Sequence, residues 1–172
     1  MRIYIPVKQS DINAQRLDVS EVFAVTPGLE AIIDPPITMD ELEELARSLA
    51  AQASLHTLVK AAVKFSHINA TDLPMRRVVA AADIYGELDE IGPGCVQLRE
   101  PLPWQTVVSV HCDDDVASQY WRSELVKNPP PNAADDTISQ WISTLEHDFE
   151  MDWYDITELA TVRALCANDP QS

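Results

Sequence analysis

The chain has 172 residues, of which 46% are hydrophobic and 23% charged, and its 12 Lys and Arg residues face 28 Asp and Glu residues for a net charge of −16. This length and composition predict a single globular domain, residues 1–172, and exclude a disordered chain. The excess of carboxylates excludes nucleic acid and anionic membrane surfaces as partners, because both are held mainly by Lys and Arg.

The first half of the chain predicts two strands and a long helix. The strands are expected at residues 2–7 and 21–26. Thr38 and Glu41 form a T-x-x-E capping box, and apolar residues then recur at helical spacing from Leu42 to about residue 65. We expect this Ala-rich helix to cross over between the second strand and the third.

Three more strands are expected at residues 75–83, 95–99 and 106–111. The loops between them are short, which favours an antiparallel meander. The third and fifth strands would then run in the same direction and bring Asp83 and His111 to the same edge of the sheet, about 10 Å apart. The predicted fold class is α+β: a mixed sheet of about five strands, a long Ala-rich crossover helix, and helices packed mainly on one face.

The C-terminal third predicts helices. The first is expected at residues 116–127, and a Pro-rich break at 128–132 follows it. Residues 137–166 are interpreted as a C-terminal helical segment of the same domain. Capping pairs begin its two helices, Thr137 with Gln140 and Asp155 with Glu158.

The cysteines and the N-terminal residues indicate a cytoplasmic protein. The three cysteines, Cys95, Cys112 and Cys166, are odd in number and far apart, whereas secreted disulfide frameworks use even sets. The first residues form no basic leader before an apolar stretch, so no signal peptide is expected. No apolar run approaches the roughly 18 residues of a membrane helix.

The best candidate polar site lies at the end of the fifth strand. No nucleotide-binding, hydrolase or metalloprotease motif is present in the sequence. His111 and Asp113 alternate on the strand and share a face, with Asp114 next to them and Asp83 at the same sheet edge. His111 and Asp113 could bind a divalent cation as cofactor, or act as acid and base, and the sequence indicates no other cofactor. The alternative is structural, since Asp residues before a helix commonly cap it.

Three tryptophans offer a different kind of site. Trp121, Trp141 and Trp153 belong to the aromatic part of the C-terminal third. Tryptophan is a preferred anchor at protein interfaces, so these side chains are candidates for partner binding. The alternative is core packing, because an amphipathic helix normally faces its own core.

Several short segments together resemble a small family of uncharacterised actinobacterial proteins. In chain order they are RIYIP (2–6), FAVTP (23–27), RRVVAAAD (76–83), VHCDD (110–114) and WYDITEL (153–159). The resemblance implies a cytoplasmic bacterial protein that forms a stand-alone domain, and it brings no function with it. It directs attention to the polar members of these segments, which are His111, Asp113, Asp114, Tyr154 and Glu158.

Two functions from different classes follow. Residues 1–110 carry 9 basic and 15 acidic side chains, whereas residues 111–172 carry 3 and 13. The leading hypothesis is an acidic intracellular protein-binding or regulatory domain that works through this C-terminal part, with a basic protein or a second copy of the chain as partner. The alternative is a divalent-metal-dependent hydrolase or other enzyme that uses His111, Asp113 and Asp83.

Overall fold

The computed structural model describes residues 1–65 and 74–167, which form an α+β fold. The strands are β1 (Arg2–Pro6), β2 (Arg16–Leu17), β3 (Glu21–Phe23), β4 (Val78–Asp83), β5 (Asp89–Gly92), β6 (Cys95–Gln97), β7 (Leu102–Pro103), β8 (Val107–Cys112) and β9 (Asp152–Asp155). The α-helices are α1 (Pro27–Ala31), α2 (Met39–Lys64), α3 (Asp115–Lys127), α4 (Asp135–Ser143) and α5 (Leu159–Ala167).

Seven of the strands form one sheet in the order β5-β6-β3-β1-β4-β8-β9, and β2 pairs separately with β7. Every neighbouring pair in the seven-stranded sheet is antiparallel, so the sheet is antiparallel rather than mixed. β1 lies between β3 and β4, which makes these two strands parallel to each other. Helix α2 is the connection between them, as the sequence predicts.

The expected meander is wrong, and this changes the geometry at the sheet edge. β6 pairs with β3 instead of lying between β4 and β8, so β4 and β8 are direct antiparallel neighbours. Their register places Val79 opposite His111, whereas Asp83 lies opposite Arg2 at the other end of β4. Asp83 and His111 therefore lie at opposite ends of the sheet, because β4 and β8 run in opposite directions.

Helix α2 begins as the capping box predicts. The Thr38 hydroxyl accepts a hydrogen bond from the Glu41 N–H at 3.3 Å, and the Glu41 carboxylate accepts one from the Thr38 N–H at 2.8 Å. Ala46 and Ala50 are fully buried where α2 packs on the sheet, beside Tyr4. Within the described ranges, no helix combines the length and apolar character needed to cross a membrane.

The helices lie mainly on one face of the sheet. A second cluster joins α2 to α3 and α4 beyond the sheet, through Leu55, Val59, Trp121, Ile138 and Trp141. Helix α5 covers the opposite face, where Val162 and Cys166 join the cluster that contains Ile3, Ile5, Ala80 and Val110. Both faces of the central strands are consequently buried, which agrees with the uninterrupted apolar run of β4.

The predicted helical segment over residues 137–166 is wrong in its middle. Helix α4 ends at Ser143, and Asp152–Asp155 forms the edge strand β9 against β8. Trp153 and Tyr154 favour this conformation because aromatic side chains fit a pleated, half-buried surface. Asp155 and Glu158 then form the predicted capping pair, which begins a short 3₁₀ turn before α5.

Candidate functional site

Asp113 is the centre of a buried polar network. The residue is 1% exposed, and its carboxylate accepts hydrogen bonds from the Arg77 N–H (2.9 Å), the Arg77 Nε (3.0 Å) and Nη2 (2.8 Å), and the Trp121 Nε1 (2.9 Å). Arg77 also donates to the Phe149 carbonyl at 2.8 Å and stacks 4.9 Å from the Trp121 ring centroid. These charge-assisted bonds occupy both carboxylate oxygens. Asp113, which directly follows β8, is thereby bonded to Arg77 at the start of β4 and to Trp121 in α3.

His111 is buried in its neutral form. Arg47 Nη1 lies 2.9 Å from His111 Nδ1, and because a guanidinium only donates, Nδ1 is the acceptor and the proton is on Nε2. Burial, and next the positive charge of Arg47, lower the pKa of His111 to about 4. Ser109 alternates with His111 along β8 and lines the same groove, as strand geometry requires.

The other predicted site residues lie apart from this pair. Asp83 binds Arg2 at 2.5 Å, and this hydrogen bond lowers the pKa of the carboxyl. Asp114 caps α3 by accepting a hydrogen bond from the Ala117 N–H at 2.9 Å. Tyr154 packs on the face covered by α5, where burial raises the pKa of its phenol. Glu158 belongs to the capping pair.

No three His, Cys, Asp or Glu side chains of residues 1–65 and 74–167 come together closely enough to hold a metal ion. His111 and Asp113, the predicted metal ligands, contact Arg47 and Arg77 respectively. The arrangement of these side chains supports the structural alternative for Asp113, whose four donors all come from the protein itself.

The tryptophans separate into two groups. Trp121 and Trp141 are buried in the cluster beside α2, and their indole N–H groups donate to Asp113 and to the Asn128 carbonyl. Trp104 is also buried, whereas Trp153 on β9 is 59% exposed. Trp153 is therefore the one tryptophan of the chain that is available at the surface.

His111 and Trp153 line a groove of ≈ 300 Å³ between the sheet and the first turns of α2, which we call the edge groove. Its other lining residues are Arg2, Tyr4, Asp40, Glu43, Glu44, Arg47, Ala81 and Ser109. A second groove of ≈ 340 Å³ shares Glu44 and Arg47 with it and includes Asp148 and Glu150 from the segment before β9. The two grooves thus adjoin along α2.

The charges in these two grooves are unbalanced. Each arginine that lines them is already paired: Arg2 with Asp83, Arg47 with Glu44 and Arg77 with Asp113. In the part of the chain that the structure describes, four further lining carboxylates form no ion pair within 4.0 Å: Asp40, Glu43, Asp148 and Glu150. The grooves therefore carry an excess of negative charge.

The backbone of Trp153 faces the free edge of the sheet. The Asp155 N–H donates to the Glu158 carboxylate at 2.9 Å, so it points away from β8. Main-chain groups of an antiparallel strand alternate in direction, and hence the N–H and C=O of Trp153 also point away from β8. Sequence reasoning missed this strand, although the Trp-Tyr pair between Asp152 and Asp155 is a strand signal.

One comparison with known proteins gives a match. The sequence model of a protein family covers residues 1–162, and its description is "Family of unknown function (DUF6912)". No curated protein and no solved structure matches the chain. The family match extends over the whole sheet and the first turn of α5, and it carries no activity, so the residues themselves have to indicate the function.

Proposed function

The chain belongs to the family of unknown function DUF6912, and we propose from its geometry that it is a protein-binding domain whose edge strand β9 takes up a Lys- and Arg-rich extended segment of a partner. The observation that carries this proposal is Trp153, which is 59% exposed on a free sheet edge beside a carboxylate-rich groove. We place the domain in the cytoplasm of an actinobacterium, since its segments resemble such proteins and its cysteines are free thiols.

Two chemical features of β9 suit such a segment. An extended peptide can add to a sheet edge through main-chain hydrogen bonds, and Trp153 offers for this purpose an N–H and a C=O that point away from β8. The indole is also the aromatic ring that attracts a Lys or Arg side chain most strongly, with about 0.5–2 kcal/mol per contact. One residue therefore supplies both a backbone and a side-chain contact.

The charges select the kind of partner. Asp40, Glu43, Asp148 and Glu150 lie around the grooves without a cation of their own among the described residues, and they attract basic side chains. Nucleic acid and anionic lipid are repelled by a chain of net charge −16. A second copy is disfavoured at this edge, because two β9 strands would bring their Asp152 and Asp155 side chains together.

A titration with a defined peptide tests the proposal. The probe is a fluorescently labelled peptide of alternating Lys and Val, with a peptide of alternating Glu and Val as its matched control, and binding is followed by anisotropy. We expect binding of the Lys peptide alone, weakened about tenfold by Trp153→Ala and by raising salt from about 50 to about 500 mM.

Single-charge variants distinguish an effect of the groove carboxylates on peptide binding from an effect of the net charge. Glu43→Gln and Glu150→Gln each remove one groove charge, whereas Glu87→Gln removes one exposed charge outside both grooves. The groove variants should weaken binding, and Glu87→Gln should leave it unchanged. The proposal is overturned if the Lys peptide does not bind, or if Trp153→Ala binds it as well as the original chain does.

A further inference from the structure

Two arginines, Arg16 and Arg163, differ from five other arginines of the chain in having no carboxylate partner among the described residues. Five arginines each bind a carboxylate within 4.0 Å, namely Arg2, Arg47, Arg76, Arg77 and Arg99. Arg16 and Arg163 form no ion pair with any described residue, although acidic side chains outnumber basic ones by 28 to 12. Among the described residues, their charges thus have no carboxylate counterion, although the molecule is strongly acidic.

Both of these arginines line the same pocket, which we call the arginine pocket. It has a volume of ≈ 720 Å³ and lies beside β7 and α5, on the sheet face opposite the edge groove. No carboxylate is among its described lining residues; Gln15 and Gln105 supply amides, and Leu159 supplies an apolar wall. Ligand sites commonly have about this size and a few convergent polar groups on apolar walls.

The guanidinium groups are held in place by neutral partners. Arg163 Nε donates to the Ile12 carbonyl at 2.9 Å, and its Cζ lies 5.7 Å from the Trp104 ring centroid. Arg16 Nη1 donates to the Pro101 carbonyl at 3.0 Å. Because Arg163 bonds to Ile12 through Nε, both of its terminal nitrogens can donate to a ligand. Carboxylate and phosphate groups bind such a pair of nitrogens through two parallel hydrogen bonds.

We propose that the arginine pocket binds a small anion that carries a carboxylate or phosphate group. A carboxylate or phosphate group of the ligand pairs with Arg16 and Arg163, the amides of Gln15 and Gln105 bind its polar substituents, and Leu159 contacts its apolar part. This site is independent of β9, since it lies on the other face of the sheet and attracts the opposite charge.

Calorimetric titration with citrate, pyrophosphate and AMP tests this site, with adenosine as the neutral counterpart of AMP. We expect at least one anion to bind at concentrations up to about 1 mM and adenosine not to bind. Citrate and the phosphates distinguish a carboxylate ligand from a phosphate ligand. Failure of all three anions overturns the proposal.

Variants locate the binding within the pocket. Arg16→Gln removes one charge and a single surface hydrogen bond, so this variant is expected to fold, and Arg163→Gln removes the second charge. Each should weaken anion binding about tenfold, whereas Arg99→Gln, which breaks an exposed ion pair outside the pocket, should not. Unchanged affinity in both Arg16→Gln and Arg163→Gln contradicts the assignment, even if an anion binds elsewhere.

Discussion

Trp153 lies directly opposite His111 on the neighbouring strand, so an exposed indole and a buried imidazole share one face of the sheet. The pair does not exchange main-chain hydrogen bonds, and side chains are closest at such positions of an antiparallel ladder. Arg47 contacts the imidazole from α2. Burial, and next the positive charge of Arg47, account for the preference of His111 for the neutral form.

Quenching of the fluorescence of the exposed Trp153 indole by ions should depend on the charge around it. We predict that cesium ions quench the tryptophan fluorescence more strongly than iodide does, each measured relative to its quenching of free N-acetyltryptophanamide, because Trp153 is the exposed tryptophan and carboxylates line the groove beside it. Stern–Volmer constants in solutions of equal ionic strength measure this difference. Trp153→Phe should abolish most quenching by either ion. Stronger quenching by iodide would show that the groove is not negative.

The neutral His111 should make stability depend on pH. Its pKa is about 4 in the folded chain and about 6.5 in the unfolded chain, so the unfolded state takes up the proton first as the pH falls. The contribution of neutral His111 to the free energy of unfolding is fully present above pH 6.5 and is lost as the pH falls towards 4. We expect this loss to be about 1–3 kcal/mol, because water in the groove screens the charge.

Urea unfolding at several pH values measures this contribution. His111→Gln should remove the part of the pH dependence that falls between pH 4 and 6.5, and His147→Gln, which changes an exposed ring, should keep it. A His111→Gln variant whose stability changes with pH as in the original chain would contradict the buried neutral state of His111.

Asp113 should be far more important for stability than Asp83. Both bind an arginine, but the Asp113 and Arg77 side chains are buried, whereas Asp83 and Arg2 are exposed to water. Asp113→Asn leaves the Arg77 charge buried without a counterion and should lower the free energy of unfolding by about 3–5 kcal/mol. Asp83→Asn should lower it by about 0–1 kcal/mol. Equal effects in chemical denaturation would refute the structural role of Asp113.

The capping box of α2 provides a smaller and independent effect. Thr38→Ala removes the hydroxyl that accepts the Glu41 N–H, and we expect it to lower the free energy of unfolding by about 1 kcal/mol. Thr57→Ala is the matched control, because Thr57 lies within α2 and its hydroxyl donates only to the Ala53 carbonyl of the same helix. Its replacement should be neutral or slightly stabilising. A similar loss in both variants would mean that the cap contributes nothing of its own.

Features of the fold that depend on residues close together in the sequence could be predicted. The capping box and the periodic apolar residues predicted α2, and the mainly apolar residues 75–83 predicted the strand that forms as β4. The strand order could not be predicted, since β6 pairs with β3 across more than 70 residues of chain. β9 was missed because four residues between polar segments form a strand only when β8 offers its edge.

The sequence named residues of the candidate site but not their contacts. The alternation of residues along β8 predicted that His111 and Asp113 project from one face. Their partners Arg47 and Arg77 are 64 and 36 residues distant in sequence, and no local pattern links them. Asp83 was grouped with them through the wrong strand order.

Amide hydrogen exchange at β9 tests the central claim most directly. In the free protein the Trp153 N–H points to the open edge and the Tyr154 N–H points to β8, so Trp153 should exchange faster than Tyr154. Saturation with the peptide of alternating Lys and Val should slow Trp153 exchange about tenfold or more and leave Tyr154 nearly unchanged. Unaltered exchange at Trp153 with peptide bound would contradict the account of β9 as the docking edge.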